Sequence, residues 1–348
     1  MRSLAVIASC FAVLLAAVVP AGHAAAGTTS WAQPQIKAVV AAGLLADDVA
    51  SFGPDLPLTQ SALRGALETL SLASEDAAPS RYRVAAPARP VTIRELDAAL
   101  VGFVGLGAAA RAITAQLRAA ALEPKLGAGT ETVARLLGLR VNHPAADDGR
   151  ELGLNDPATR AEAAYSLARV LTLSSWDIER TRSQAETFVL PMLTDWQRNV
   201  LSRAVSFVGF PYIWGGTSEL PQQLFGRPAP GGFDCSGFVW RVFKLEPFEG
   251  ASALASVLRG RTTYQMSGEV GPARRIKKAQ NIQPGDLLFQ GAAGQRSTPA
   301  QVDHAAIYLG GGWFVHSSGG GTTLHPFEGW YRDRFAWARR PLLEAGLI

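Results

Sequence analysis

One cysteine and two histidines carry the chemistry legible in this sequence. Cys235 stands in Phe233-Asp234-Cys235-Ser236-Gly237-Phe238, His304 in Val302-Asp303-His304-Ala305, and His316 in Phe314-Val315-His316-Ser317. A thiol attacks as its thiolate, and an imidazole is the common base that makes one near neutral pH. The chain has two cysteines, and Cys10 lies in an N-terminal apolar run that reads as an export signal, so Cys235 is left without an internal partner. Exported proteins ordinarily pair their cysteines, and a single one is either incidental or reactive. The apolar run after Cys235 predicts a helix with the thiol at its start, where exposed N–H groups and the dipole favour negative charge. Ser236 and Gly237 are small enough to admit a substrate backbone. N–H groups near Cys235 are candidate oxyanion donors, with Tyr212 as a further one.

The histidines must be positioned by a sheet. Val302 to Leu309 alternates as a strand, Trp313 to Ser317 is a second, and Gly310-Gly311-Gly312 between them is a hairpin signal. A three-residue loop, Leu309 to Gly311, sets Tyr308 opposite Gly312 and His304 directly opposite His316, on one face and within hydrogen-bonding reach. A two-residue loop breaks that alignment. His316 then orients the His304 ring, as the third member of a triad does. Asp303 points the other way from its strand position, and His143 and His325 lack a partner pattern. Short ligand spacings such as CxxC or HxxxH are absent, so neither a metal nor another cofactor is expected. Pro284-Gly285-Asp286 reads as a tight turn feeding the strand Leu287 to Phe289. Trp214, Trp240 and Trp313 read as core.

These elements occur in a fixed order: a helix from Asp195, Pro211-Tyr212-Ile213-Trp214-Gly215-Gly216, Asp234-Cys235-Ser236-Gly237-Phe238, Arg261-Thr262-Thr263-Tyr264-Gln265, Pro284-Gly285-Asp286, and the two histidine strands. From about Asp195 to Arg340 the succession resembles the NlpC/P60 family of cell-wall cysteine peptidases. The resemblance implies an α+β, papain-like fold, with helices packed on an antiparallel sheet. It makes Cys235 the nucleophile, His304 the base, His316 the third polar residue, and Tyr212 a neighbour of the site beside Ser236. It further implies peptidoglycan stem peptides as substrate, cut most often between D-glutamate, through its γ-carboxyl, and diaminopimelate. Thr217 to Gly232 is longer than that pattern leads one to expect; it is predicted to be a loop beside the cleft that narrows access or acts as a lid. Two alternatives stay open: a Cys–His amidase or transglutaminase-like acyltransferase, and a non-catalytic wall-binding protein.

The first half has a different texture, rich in Ala, Leu and Arg with helical periodicity. A threonine stands at three expected helix N-caps, Thr59, Thr92 and Thr159, before Gln60 to Leu72, Ile93 to Val104 and Arg160 to Leu171. Glu95 and Glu162 follow at the capping-box position. Thr159-Arg160-Ala161-Glu162, with the Pro-Asp and Asp-Pro loops, resembles the S-layer homology repeat, which implies attachment to cell-wall polysaccharide. In this reading the middle unit lacks a clear loop, and Ala108 to Leu137 has no place.

The 348 residues carry a formal net charge of +4, with nearly half of them hydrophobic. No basic cluster is interleaved with aromatics, which argues against nucleic acid. Arg2, the apolar run Leu4 to Val19, Pro20 and the small residues up to Ala26 read as a secretory signal at 1–26. The organisation expected is a signal (1–26), a helical S-layer-homology-like wall-binding domain (27–172), a linker (173–193) and the peptidase domain (194–348). No transmembrane segment is expected in the mature protein, which would be secreted and wall-associated.

Overall fold

The computed structural model describes residues 30–73, 82–140 and 151–348. The expected signal at 1–26, Cys10 and His143 lie outside these residues. In the first half, helix starts are the organising feature. After α1 (Gln33–Ala41) come α2 (Gln60–Ala73), α3 (Ile93–Phe103), α4 (Gly107–Ala119), α5 (Ala128–Leu136) and α6 (Arg160–Thr172). Thr59 accepts from Ala62 N at 3.3 Å, Thr92 from Glu95 N at 3.3 Å, and Thr159 from Glu162 N at 3.2 Å. Each hydroxyl satisfies one of the amides a helix start leaves open.

The remaining open amides are satisfied between units. Gln60 N and Ser61 N of α2 donate to Arg89 O and Pro87 O, while Ile93 N and Arg94 N of α3 donate to Asp156 O and Leu154 O. Arg160 N and Ala161 N of α6 donate to Leu56 O and Pro54 O, which closes the cycle. At its centre, Leu58 N donates to Ala158 O, Ala158 N to Val91 O and Val91 N to Leu58 O, each at 2.8 Å. Leu58, Val91 and Ala158 are fully buried there. The three Pro-x-Thr segments thus form a closed, pseudo-threefold ring. The middle unit has a loop after all, Pro87 to Thr92, hidden from the sequence because it lacks the Asp of its equivalents.

Residues 173–193, expected as a linker, form α7 (Ser175–Glu186) and an extended stretch. Ser174 and Asp177 make a reciprocal capping box at its start. Phe188 then packs edge-on against Trp313, with ring centroids 5.0 Å apart, and Trp313 Nε1 donates to Thr187 Oγ1 at 3.0 Å. Buried side chains of both halves belong to one continuous core.

The second half begins with α8 (Asp195–Val205), capped by Thr194 and Gln197. The stretch 217–232, expected as a loop, is largely a small β structure. Its strands are β1 (Thr217–Ser218), β2 (Gln222–Leu224), β3 (Arg227–Ala229) and β4 (Gly232–Phe233), with β1 paired to β4 and β2 to β3. The Gln222 side chain holds its base, accepting from Thr217 N and donating to Pro230 O and Gly232 O. Next come α9 (Cys235–Trp240), which runs into a π-turn at Arg241–Leu245, then α10 (Ser252–Val257) and α11 (Thr263–Gly268). Five antiparallel strands follow: β5 (Leu287–Gly291), β6 (Val302–Gly310), β7 (Trp313–Ser318), β8 (Gly321–Pro326) and β9 (Phe335–Arg339), in the order β8-β7-β6-β5-β9. Two short helices, α12 (Gly329–Asp333) and α13 (Pro341–Glu344), flank β9. The second half is therefore α+β, with α9 packed against β6 and β7 and α5 of the first half against β8. Trp313 is buried as expected; Trp214 is not core, at 61% exposed.

Candidate active site

Cys235 opens α9, and Asp234 is the N-cap. The Asp234 carboxylate is the hub of the turn. It accepts from Gly237 N at 2.5 Å, Gly215 N at 2.9 Å and Ser236 Oγ at 3.0 Å, and from both terminal nitrogens of Arg261 at 3.2 and 3.1 Å. Ser236 is buried in that network, its Oγ accepting from Arg261 at 2.6 Å. The glycine at 237 is obligatory, because a Cβ there would stand 1.9 Å from Gly216 O. Tyr212 forms a backbone bridge with Phe233, two residues before the cysteine.

Cys235 is partly exposed, and its Sγ lies 4.0 Å from Asp303 O. The N–H groups of Ala305 and Ser236 are directed at the sulfur. Both residues that flank His304 in β6 therefore touch the thiol through their backbone. Across the sheet, His304 Nε2 and His316 Nδ1 are 2.8 Å apart, with the rings nearly perpendicular. Both histidines are buried.

The register that joins them differs from the expected one. Gly310 pairs with Trp313, so the turn has two residues, Gly311 and Gly312, at φ +59° and +79° as a type I′ turn requires. Such a loop alone would break the alignment of the two histidines on one face. A bulge between Tyr308 and Gly310 restores it, pairing Tyr308 with Phe314 and Ile307 with Val315. Continued down the strands, this puts His304 and His316 on the same face but diagonal, not opposite.

Charge at the site also departs from expectation. Burial pushes the Cys235 thiol up to about 12, the Asp234 carboxylate adds to this, and the two directed N–H groups and Arg261 oppose it. Burial lowers His304 to about 4, against a raising contribution from Asp303. His316 is held well below its ordinary range by burial, then by His304, His325 and Arg135. The resting pair is thus neutral thiol and neutral imidazole. Asp303 itself is exposed and paired with Arg334.

Three participants were missed. His325 pairs with Phe314 across the β7–β8 ladder and lies 5.9 Å, centroid to centroid, from His316. Its Nδ1 is 2.9 Å from Pro326 O. Tyr331 on α12 covers the rings of His304, His316 and His325 at 5.7, 5.0 and 4.8 Å. Arg135 of α5 reaches β8, where a Cβ on Gly321 would lie 2.5 Å from its guanidinium. Alternation along Gly321 to Pro326 could have put His325 on the histidine face; nothing local to Arg135 or Tyr331 could have signalled theirs.

Comparison with known proteins gives this geometry its relatives. Residues 209–340 match the NlpC/P60 family, so the second half carries an NlpC/P60 domain. The gamma-D-glutamyl-L-lysine dipeptidyl-peptidase of Bacillus subtilis is 25% identical over 146 residues, covering 42% of this chain and 40% of that protein. Protein P54 of Enterococcus faecium is 31% identical, covering 39% and 21%. The probable peptidoglycan endopeptidase LytE of Bacillus subtilis is 28% identical, covering 40% and 33%. The chain thus spans less than half the length of each of these relatives. Among solved structures, the P60 domain of a Mycobacterium avium subspecies paratuberculosis antigen is 26% identical, covering 42% of this chain and 93% of that one, with a TM-score of 0.31.

Proposed function

We propose that this protein is a secreted peptidoglycan hydrolase, a cysteine endopeptidase that cuts the stem peptide at the γ-D-glutamyl bond to the diamino acid, diaminopimelate. One observation carries the reading. The Cys235 sulfur rests on the backbone flanking His304, while His304 Nε2 is committed to His316 at 2.8 Å. That leaves Nδ1, the ring nitrogen nearer its own backbone, to take the thiol proton. The relatives named as a gamma-D-glutamyl-L-lysine dipeptidyl-peptidase and a probable peptidoglycan endopeptidase support the substrate class.

As Sγ attacks the carbonyl carbon, its proton passes to His304 Nδ1. Because both groups start neutral, the ion pair forms only with bond formation. His316 Nδ1 accepts from His304 Nε2–H and stabilises the imidazolium, as the third group of a triad does. N–H groups near Cys235, that of Ser236 among them, with Tyr212 as a further donor, are assigned to the developing oxyanion, whereas Gly237 N is committed to Asp234. Collapse breaks the C–N bond, and His304 returns the proton to the leaving amine. Water, deprotonated by His304, then hydrolyses the thioester and regenerates the thiol. No metal or organic cofactor enters this sequence.

The first half is assigned wall attachment. Its pseudo-threefold ring of Pro-x-Thr segments supports a repeat architecture of the S-layer-homology kind, with wall polysaccharide as ligand.

The test is digestion of purified peptidoglycan by the protein and by Cys235→Ala, with released fragments read by mass spectrometry. Fragments ending in γ-D-glutamate from the first, and none from the second, are expected. Equal release by both would remove the cysteine from the mechanism.

A further inference from the structure

The basic run Arg274-Arg275-Ile276-Lys277-Lys278 plays no part in the site described, and its setting is unusual. It lies against the sheet's β9 edge, where Ile276 N donates to Ala338 O at 2.9 Å and Ala338 N to Ile276 O at 2.8 Å. With Ala273, Gln280, Asn281, Gln283 and Arg340 it lines a groove of about 670 Å³. Cations and amides dominate this lining, and no carboxylate contributes to it. Elsewhere in the same half, Arg241, Arg261, Arg334 and Arg339 are each paired with a carboxylate. Arg274, Lys277 and Lys278 are exposed and in no ion pair among the described residues.

The groove is also built rather than loose. The Arg275 guanidinium lies 3.9 Å from the Trp337 ring centroid, and its Nε donates to Val270 O at 3.0 Å. Arg340 is anchored from behind by Asp286, with both bonds at 2.9 Å. Lys277 and Gln295 exchange hydrogen bonds with each other's backbone at 3.2 and 3.0 Å. These contacts fix the walls and leave Arg274 and Lys278 facing water, with the Lys277 ammonium exposed beside them on its bond to Gln295 O.

We propose that this groove binds a linear, phosphodiester-linked glycopolymer. Closely spaced phosphates match lysine point charges and the arginine fork. The Gln280, Asn281 and Gln283 amides suit the hydroxyls between them. The strand order gives the site a use. β9 is one edge of the sheet and β8, which meets the helical half, is the other, with the Cys235–His304–His316 cluster between. A polymer held at β9 leaves the cleft open and tethers the protein from the side away from the helical half.

The test uses the full chain and inorganic polyphosphate of defined length as probe, titrated by fluorescence anisotropy at several salt concentrations. In Arg274→Ala/Lys277→Ala/Lys278→Ala, binding is expected to weaken by about tenfold or more. The slope of log K against log salt should shrink by roughly two to three, since each of the three phosphate contacts removed contributes about 0.7–0.9. The thermal midpoint and hydrolysis of a soluble stem peptide should be unchanged, so this test stands apart from the peptidase assignment. The control Arg227→Ala/Arg259→Ala, exposed and outside the groove, should bind like wild type. Equal binding by the triple variant, equal loss in the control, or no wild-type binding at physiological salt would overturn the proposal. Polyglutamate binding as tightly as polyphosphate would overturn the phosphate assignment.

Discussion

Two buried polar clusters meet where α5 reaches β8, and they tolerate burial in opposite ways. At Cys235, His304 and His316, burial selects neutral forms: the thiol is pushed up and both imidazoles down. In the helical half, Asp97, Glu131, Arg140 and Glu151 are buried with the Arg135 side chain among them, and that cluster keeps its charges by pairing them. Arg135 reaches Glu131 at 2.5 Å and Glu151 at 3.0 Å, while Arg140 lies 3.7 Å from Glu131 and 3.8 Å from Asp97. Three carboxyls against two guanidiniums would leave one negative charge. Burial, reinforced by Glu131 and opposed by Arg140, raises Asp97 well above its ordinary value. Burial raises Glu151 as well, whereas Glu131, despite its burial, is lowered by Arg135 and Arg140. The excess proton is therefore assigned to Asp97, which has no hydrogen-bonded guanidinium. The difference is one of partners. Where counter-ions are supplied, charge survives burial; where a reaction needs a proton to move, they are withheld. Arg135 belongs to both clusters, because its charge also lowers His316.

Removing that shared residue should break the comparison most severely. Arg135→Leu takes the shorter-range partner from Glu131 and Glu151 and leaves them buried with Arg140 alone, at 3.7 and 4.0 Å. It should cost about 3–5 kcal/mol, read as a large fall in urea midpoint. A midpoint within error of wild type would mean that the cluster is not what joins the halves.

The neutral cluster predicts a pH dependence of opposite sign to that of a salt-bridged histidine. The folded state holds His304 near 4 whereas an unfolded histidine titrates near its ordinary 6.5. As pH falls, the unfolded chain takes the proton first. Stability present above about 6.5 is therefore lost progressively toward 4, by roughly 3 kcal/mol at full extent. Urea titrations from pH 7 to 4.5 should show the decline, and His304→Gln should make it shallower without abolishing it, because burial lowers His316 and His325 as well. Because the base must be neutral to work, the acid limb of kcat/KM should fall nearer 4 than 6.5.

Asp234 sharpens the same point at the thiol. Asp234→Asn removes a charge that raises Cys235 and frees Arg261, which lowers it. Iodoacetamide should modify Cys235 several-fold faster at pH 7, while the thermal midpoint drops because the turn loses its charged hub. Slower alkylation would contradict the assigned cause. The smallest effect is expected at Asp97. Asn keeps the shape and donates without needing a proton, so Asp97→Asn should change stability by less than about 1 kcal/mol. A loss comparable to Arg135→Leu would show that Asp97 is charged.

The same contrast explains what the sequence made legible. Cys235, His304 and His316 stood out because thiol and imidazole are scarce types set in strong local patterns. Their shared face followed from strand alternation. The bulge that secures it could not be read, because Leu309 looks like any other strand residue. The threonine caps of α2, α3 and α6 were readable from one helical turn. Their closure into a ring was not, since it runs through backbone carbonyls far away in sequence. Trp214 was misjudged because aromatic character does not tell core from surface. The thiol's direction was misjudged because a helix start was weighed without the burial of the sulfur and the anion that caps the helix. Arg135 and Asp97 act on partners in other elements, which no local period reports.

The central claim is that Cys235 and His304 act as one neutral nucleophile–base pair on a γ-D-glutamyl bond. Its most direct test is steady-state hydrolysis of L-alanyl-γ-D-glutamyl-diaminopimelate by wild type, Cys235→Ala and His304→Ala, side by side. The account predicts a single cleavage before diaminopimelate, with kcat down by about 10⁴ in each variant. Cleavage by Cys235→Ala at the wild-type rate, or at a different bond in wild type, would contradict it.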